Sequence, residues 1–293
     1  VRPSEVATVV ARQVLDKIGF VREHIKALFN CSVTRDFFEP ATAALVHRNL
    51  GLQEQSIVMD ISNACMGFVN GIMVLGNLIE SGAVKAGVLV SGENVARMVD
   101  SSVGYILGKE NIDREELIKL LPTFTLGCAA VAFVLCHDSI ATTQHRILGG
   151  VARSATQFND LCEGNGDHSY YQTQGESEPI MYTESSKIIS NAARLGGRTW
   201  KDTSEILGWS KDDIDHIFCH QVGRQVNEAF YQEMGLDIEK EYTVYQKYGN
   251  LVSAALPVAF AEGVEKKDVK PGDKILLTGF GSGLNSLFVG IEW

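Results

Sequence analysis

The sequence lacks the features that would place the chain in a membrane or on a nucleic acid. No apolar run approaches the roughly 20 residues that a membrane-spanning helix needs. The most apolar helix candidate begins near Cys65 and is interrupted by Gly67, Gly71 and Gly76. The chain has no run of Lys or Arg, and its formal net charge is −10, which gives little support to a polyanionic partner. We therefore expect no membrane span and no nucleic acid.

The spacing of the cysteines fits neither a disulfide framework nor a zinc site, although the chain has six of them. No signal peptide is visible, so we expect reduced thiols, no metal and a cytoplasmic location. A glycine-rich phosphate loop is also missing. The stretch GFGSGLN (279–285) superficially resembles a dinucleotide fingerprint, but it stands between two predicted strands and not before a helix. We therefore expect no nucleotide or redox cofactor.

The chain does contain alternating short apolar strands and helices, and its 293 residues are 45% hydrophobic, enough for a large core. Repeated βα units with continuous apolar strands predict an α/β fold with a largely parallel sheet covered on both faces. The segment 100–122 is charged and predicts an inserted helical flap, and 154–180 predicts a polar loop. Strands are expected near 27–32, 56–62, 85–94, 128–138, 216–221, 274–280 and 285–293, and helices near 4–18, 39–51, 182–207 and 224–235, after Cys65 and after Asn250.

The first residues predict that a leading segment precedes this sequence. The chain opens on Val1 and not on Met. Ser4, followed by apolar residues such as Val6 and Leu15 at helical spacing, predicts a helix, whereas an α/β chain usually opens on a strand.

A thiol at the start of the most apolar helix is the first candidate for chemistry. Most free cysteines are buried and inert. A helix N-terminus, however, carries about half a positive charge and unpaired N–H groups, and both stabilise a thiolate. We therefore expect Cys65 to be a nucleophile of lowered pKa, mounted on a rigid helix that is buried on all sides.

Two further candidates lie at predicted strand ends or in adjacent loops, where chemistry gathers in such sheets. His220 ends the strand DIDHIFCHQ, and Cys219 points to the opposite face, so the two make a poor metal chelate. Asn250 in KYGNLVSAALP is expected to form a Gly-Asn turn or to cap a helix, and a capping asparagine can still present its amide N–H₂ to a substrate oxygen. Glu39 precedes Pro40 at a helix start, where its residues alone predict a solvated first-turn carboxylate.

Together these motifs resemble the thiolase superfamily of acyl-condensing enzymes. The Cys–His–Asn order is similar to the ketoacyl synthase III branch, whereas degradative thiolases carry a second catalytic cysteine where this chain has Ser282. The resemblance rests on NACMGF as nucleophile motif, HQVGR as histidine motif, YGNLVSAALP as asparagine motif and GFGSGLN as C-terminal glycine-rich loop.

Departures from that branch make the chain more similar to the OleA family, which joins two long-chain fatty acyl thioesters head to head. The branch usually reads His-Gln-Ala-Asn where this chain has HQVG, and Gly-Asp-Gly-Ala where it has LGCAAV (126–131). The 100–122 insertion and the segments SVTRDFFEPATA and SATQFNDLCEGN are also similar to OleA.

The resemblance implies a thiolase fold, a five-layered αβαβα sandwich of two similar halves that usually forms a homodimer. The halves would be residues 1–140, with the nucleophile, and 141–293, with the histidine and asparagine. A further strand would precede residue 1 in this fold.

The resemblance also implies a role for each candidate residue. Cys65 would carry the acyl group, and the backbone N–H groups of Cys65 and Ser282 would form its oxyanion hole. His220 and Asn250 would donate hydrogen bonds to an enolate. Glu39 matches the family's catalytic base and would reach the site across the dimer interface.

The implied function is an acyltransferase that joins two fatty acyl-CoA thioesters by Claisen condensation to a β-keto product, with no cofactor. An alternative is a decarboxylative ketoacyl synthase III, which would use malonyl carrier protein and need no base such as Glu39. An alternative of another class is a non-catalytic partner subunit, but such subunits typically lose the nucleophile. The expected partners are acyl-CoA or acyl carrier protein thioesters.

Overall fold

The computed structural model describes residues 1–164 and 181–293. The predicted polar loop 154–180 therefore lies outside the described residues from 165 onwards. The described strands are β1 (Ile25–Asn30), β2 (Ile57–Asp60), β3 (Ala86–Glu93), β4 (Ala129–Cys136), β5 (Arg146–Ser154), β6 (Cys162–Gly164), β7 (Met181–Thr183), β8 (His216–Cys219), β9 (Lys274–Gly281) and β10 (Asn285–Glu292). The described α-helices are α1 (Pro3–Ile18), α2 (Thr42–Leu50), α3 (Gly67–Glu80), α4 (Ala96–Gly108), α5 (Arg114–Leu120), α6 (Ser185–Leu207), α7 (Arg224–Met234), α8 (Tyr245–Tyr248) and α9 (Ala255–Lys266).

Two four-stranded mixed sheets form the frame of the molecule. The first has the order β2-β1-β3-β4, in which β1 is parallel to β2 and β3, and β4 is antiparallel to β3. The second has the order β5-β10-β9-β8, in which β8 is parallel to β9, and β10 is antiparallel to both its neighbours. β6 and β7 form a separate antiparallel pair.

The prediction of one largely parallel sheet is wrong, because each sheet contains antiparallel strands. β9 and β10 are joined by a turn of only three residues, 282–284, and a connection this short permits only antiparallel pairing. β5, a partly exposed edge strand that contains Gly149 and Gly150, was not predicted from the sequence. Such a strand lacks the continuous apolar run that marks a buried one.

Helices cover both faces of both sheets and give five layers. α1 packs on β3 and β4, and α2 packs beside it. α3 and α9 lie between the sheets, since α3 contacts β3 and β10 while α9 contacts β4 and β8. α6 covers β5 and β10 and packs against α7. The α/β/α/β/α order confirms the fold that the resemblance implies.

Aromatic side chains from the first sheet and from both central helices meet in the middle layer. Phe68 of α3 stands edge-on to Phe133 of β4 with ring centroids 4.9 Å apart, and Phe133 stands edge-on to Phe260 of α9 at 5.6 Å. This arrangement is favourable for aromatic rings beyond the area they bury. The core therefore fixes the start of α3, which follows Cys65.

The segment predicted as a charged flap is helical, as expected, and consists of α4 and α5. Its description as an insertion, and the division of the chain at residue 140, stay predictions.

Candidate active site

Cys65 lies on a tight turn between β2 and α3, two residues before the helix begins. The Met66 N–H donates to the Asn63 carbonyl at 2.9 Å, and Ala64 has a φ of 46°. A left-handed conformation costs an alanine roughly 1–2 kcal/mol, and such strain clusters at functional turns. A Cβ on Gly67 would stand 2.4 Å from the Cys31 carbonyl oxygen, so only glycine lets α3 begin this close to the end of β1.

The prediction of a lowered pKa for Cys65 is wrong. Burial raises the pKa of this thiol, and negative charge at Cys162 and Glu93 raises it further, although its own backbone N–H favours the thiolate. The free-energy cost of desolvating a thiolate exceeds the stabilisation that the helix N-terminus provides. The helix is also not buried on all sides, because Val74 is 39% exposed and Asn77 is exposed. Cys65 therefore rests as a thiol and needs a base.

His220 directly follows β8 and is buried, with only 4% of its surface exposed. Its backbone N–H donates to the Thr278 carbonyl of β9 at 2.9 Å. Burial lowers the pKa of the imidazole to about 4, and Nδ1 has no hydrogen-bond partner among the described residues. His220 is therefore neutral near pH 7, and a neutral imidazole can accept a proton from a thiol or donate its N–H to a substrate oxygen.

Asn250 is buried in a loop that two backbone hydrogen bonds hold. Its N–H donates to the Thr125 carbonyl at 2.9 Å, and its carbonyl accepts from the Gly127 N–H at 2.8 Å. Its side-chain Oδ1 accepts from the Val252 N–H at 2.9 Å, which forms the predicted turn, whereas the predicted helix cap is wrong because the N-cap of α9 is Ala254. Because this bond fixes the amide orientation, Nδ2 is the end that can donate to a substrate.

Ser282 lies in the turn between β9 and β10, which is tied to the Cys65 turn by amide side chains. Asn285 Nδ2 donates to the Ser282 carbonyl at 3.1 Å and to Asn63 Oδ1 at 3.3 Å. Next to Ser282, a Cβ on Gly281 would lie 2.7 Å from Cγ of Met66. The structure therefore brings the glycine-rich turn against the nucleophile turn, as the motifs predicted.

One glutamine joins the His220 and Asn250 loops, and the sequence analysis missed it. Gln221 Oε1 accepts from the Val244 N–H at 2.6 Å and from the Tyr245 N–H at 3.2 Å. Those N–H groups begin α8, and Asn250 follows two residues after α8 ends. The only signal in the sequence is that Gln221 directly follows His220.

A buried carboxylate supports the same glutamine. Glu241 is 7% exposed, and its Oε1 accepts from Gln221 Nε2 at 3.2 Å and from Asn227 Nδ2 at 2.9 Å. Burial raises the pKa of Glu241 to about 7, against the effect of these amide donors. The loop that carries His220 is therefore anchored to a group that titrates near neutrality.

Glu39 lies apart from the contacts that join the Cys65 turn to Ser282 and the His220 loop to the Asn250 loop. It is exposed on the loop between β1 and α2, next to Phe37 and Phe38, which are 43% and 62% exposed. Among the described residues of a single chain it forms no hydrogen bond or ion pair. The C-terminal end of this loop is fixed where α2 begins. There the Asp60 carboxylate accepts from the N–H groups of Thr42 and Ala43 at 2.9 and 2.8 Å.

The described residues contain no group of three or more His, Cys, Asp or Glu side chains arranged to hold a metal. Within the same ranges, the helices lack either the length or the apolar character to cross a bilayer. The six cysteines all lie in these ranges and are free thiols.

Two family models match the sequence. Residues 59–154 match 3-oxoacyl-[acyl-carrier-protein] synthase III, and residues 205–293 match the C-terminal domain of the same family. The first match spans Cys65, and the second spans His220, Asn250 and Ser282.

Curated relatives and solved structures agree with these matches. An acyl-CoA:acyl-CoA alkyltransferase of Xanthomonas campestris is 33% identical over 293 residues, which cover 100% of this chain and 83% of that protein. An enzyme of the same name from Shewanella oneidensis is 31% identical, covering 99% of this chain and 82% of its own. The crystal structure of a cysteine-to-serine variant of Xanthomonas campestris OleA with bound lauric acid and lauroyl-CoA superimposes with a TM-score of 0.92 at 32% identity, covering 100% of this chain and 83% of that one.

Proposed function

This chain belongs to the ketoacyl synthase III-like branch of the thiolase superfamily, together with the acyl-CoA:acyl-CoA alkyltransferases, and we propose that it condenses two fatty acyl-CoA thioesters. By family it is an acyltransferase. The product of the proposed reaction is a 2-alkyl-3-ketoacyl thioester, which hydrolysis converts to the β-keto acid.

The first half-reaction moves an acyl group to Cys65. The neutral imidazole of His220 takes the thiol proton as the sulfur attacks the thioester carbonyl. The backbone N–H groups of Cys65 and Ser282 hold the oxyanion. The bond from carbon to the CoA sulfur then breaks, and the departing thiolate takes the proton from the imidazolium. This order follows from the raised pKa of Cys65 and the lowered pKa of His220.

The second half-reaction forms the carbon–carbon bond. A carboxylate, the partner subunit's Glu39, removes a proton from the α-carbon of a second acyl-CoA. His220 and the Nδ2 amide of Asn250 donate to the enolate oxygen. The enolate carbon attacks the acyl carbonyl, and the bond to Sγ of Cys65 breaks, so that the thiolate leaves and regains the proton that Glu39 took from the α-carbon.

The observation that favours two acyl-CoA substrates over malonyl is the exposed loop of Glu39. Phe37, Phe38 and Glu39 form an apolar and acidic tip that a single chain leaves in solvent, which supports a homodimer in which this tip enters the neighbouring site. An unactivated α-carbon needs such a base, whereas malonate forms its carbanion by losing CO₂ and would be repelled by a carboxylate. We include a cytoplasmic location in the proposal, as the free cysteines are typical of a reducing compartment.

The experiment supplies lauroyl-CoA alone and identifies products by mass. Glu39→Gln should still form the acyl-enzyme on Cys65 but condense about 10²–10⁴-fold more slowly, the usual contribution of a general base. Glu54→Gln, on another exposed loop, is the matched control and should condense at the wild-type rate. A Glu39→Gln enzyme that condenses two lauroyl-CoA molecules normally would remove Glu39 from the mechanism.

A parallel experiment tests the decarboxylative alternative, because both matching family models describe 3-oxoacyl-[acyl-carrier-protein] synthase III. This experiment adds malonyl carrier protein labelled at its free carboxylate. Labelled CO₂, together with no product from lauroyl-CoA alone, would establish that alternative. If neither thioester labels Cys65, the chain is a non-catalytic partner subunit.

A further inference from the structure

Glu93, the last residue of β3, is a buried carboxylate that the mechanism above does not use. It is 2% exposed and forms no salt bridge with any residue in 1–164 or 181–293. A buried carboxylate without a cation persists only when hydrogen-bond donors surround it. The donors that surround Glu93 therefore indicate what it holds in place.

Those donors come from two loops that carry proposed catalytic groups. Oε1 accepts from the Val33 N–H at 2.8 Å and from the Ser253 hydroxyl at 2.5 Å, and Oε2 accepts from the Thr34 N–H at 3.0 Å and the Thr34 hydroxyl at 2.8 Å. Val33 and Thr34 begin the loop of Glu39. Ser253 lies three residues after Asn250. One side chain thus joins segments that are otherwise distant in sequence.

Further bonds at the end of β3 hold the same residues. The Thr34 hydroxyl accepts from the Asn94 N–H at 3.0 Å, and the Ser253 hydroxyl is 2.8 Å from that of Ser91. Both loops are therefore fixed to the strand end that carries Glu93.

The bond to Ser253 acts on the orientation of Asn250 through a strained residue. Val252 has a φ of 56°, a conformation unfavourable for a β-branched side chain. Its N–H is the donor that fixes Oδ1 of Asn250. If Ser253 is released, Val252 can relax to negative φ, and the amide of Asn250 loses the bond that turns Nδ2 outward.

We propose that Glu93 is a positioning residue that holds the Glu39 loop and the Asn250 loop in one fixed arrangement behind Cys65. This inference rests on the proposed function, because it assigns the two loops to base and enolate binding. A carboxylate is required, since donors converge on both of its oxygens. Glutamine would turn an N–H₂ group toward the N–H of Val33 or of Thr34, donor against donor.

The test uses two variants that separate the charge of Glu93 from its hydrogen bonds. Glu93→Gln removes the charge, whereas Ser253→Ala removes the hydroxyl and keeps the charge. Three measurements are made on each: thermal unfolding, single-turnover condensation from lauroyl-Cys65, and the pH profile of Cys65 alkylation by iodoacetamide. Glu93 and Cys162 are the groups whose negative charge acts on Cys65.

Both variants should condense more slowly, on the order of 10²-fold, as expected when a catalytic group is misplaced by about 1 Å. Only Glu93→Gln should move the alkylation profile to lower pH, because only it removes a negative charge near the thiol. Glu54→Gln, which removes an exposed carboxylate on the loop before β2, should leave that profile in place. A purely structural role would not separate the two variants in this way.

The proposal is overturned if Ser253→Ala condenses at the wild-type rate, or if Glu93→Gln leaves the alkylation profile unchanged. If Glu93→Gln does not fold, the test rests on Ser253→Ala alone. Slower condensation by Ser253→Ala supports the proposal, and condensation at the wild-type rate overturns it. A wild-type enzyme that acylates Cys65 but never condenses lauroyl-CoA would contradict the proposed function. Single-turnover condensation is then measured with malonyl carrier protein, which uses Asn250 but not Glu39, and a normal rate for Ser253→Ala overturns the proposal.

Discussion

The first half of the molecule places β1, β3 and β4 side by side, and the second half places β8, β9 and β10 in the same order and directions. The first half adds β2 beside β1, and Cys65 follows that added strand. The second half adds β5 at the opposite edge, and His220 follows β8 directly. The same three-strand arrangement therefore presents a thiol from a strained turn in one half and an imidazole from a strand end in the other.

Burial acts on both groups in the same way and keeps both neutral. It raises the pKa of the Cys65 thiol and lowers the pKa of the His220 imidazole to about 4. A low-dielectric site disfavours whichever form carries charge. Burial therefore favours a neutral thiol and a neutral imidazole as the resting forms of the two groups.

The largest expected effect comes from removing the thiol that the first half presents. Cys65→Ser should abolish covalent labelling by lauroyl-CoA, since a serine hydroxyl is a far weaker nucleophile than a thiol. Cys128→Ser is the control, because Cys128 is exposed and should label normally when Cys65 is present. Intact-mass spectrometry checks both, and a normal acyl adduct on Cys65→Ser would rule out Cys65 as the acyl carrier.

The next largest effect distinguishes the roles of His220 and Asn250, which both lie in the second half. His220→Ala should slow both acylation and condensation, because the imidazole takes the thiol proton and later donates to the enolate. Asn250→Ala should slow condensation alone, and acyl-enzyme should accumulate. Loss of one preorganised donor typically costs about 10²–10³ in rate. Rapid-quench measurement of each half-reaction tests this, and equal losses at both steps for Asn250→Ala would contradict its assignment.

Local patterns in the sequence were sufficient to predict the candidates but not what connects them. His220 ends an apolar run, Cys65 separates an apolar strand from an apolar helix, and Asn250 precedes a helix, so their places between elements were predictable. Glu93 was not identified, because its partners lie about 60 residues before it and 160 after it in the chain. No pattern of neighbouring residues records such a contact.

The direction of the change in the Cys65 pKa also could not be predicted from the sequence. The helix dipole can be predicted from a helix start, whereas desolvation depends on what packs around the sulfur from distant segments. The antiparallel strands within each sheet were missed for the same reason, since strand pairing is decided by residues far apart in sequence.

The smallest expected effect in the wild-type protein is the pH dependence of its folding stability. Two buried groups of the second half, His220 and Glu241, change this stability in opposite directions as the pH rises. The folded-state pKa of His220, about 4, lies below its ordinary value of 6.5. As the pH falls from about 6.5 to 4, the unfolded chain takes up a proton that the folded chain refuses, and stability falls by about 3 kcal/mol.

Glu241 has the opposite sign, because its folded-state pKa of about 7 lies above its ordinary value of 4.5. As the pH rises from about 4.5 to 7, the unfolded chain loses a proton that the folded chain keeps, and stability falls by about 3 kcal/mol. Between pH 4.5 and 6.5 the two slopes cancel, and these groups should leave the wild-type stability nearly flat. Urea unfolding across this range should show stability rising with pH in Glu241→Gln and falling with pH in His220→Gln. Parallel profiles for the two variants would mean that at least one of these groups is not held neutral by burial, and for His220 this would also remove it as the resting base for Cys65.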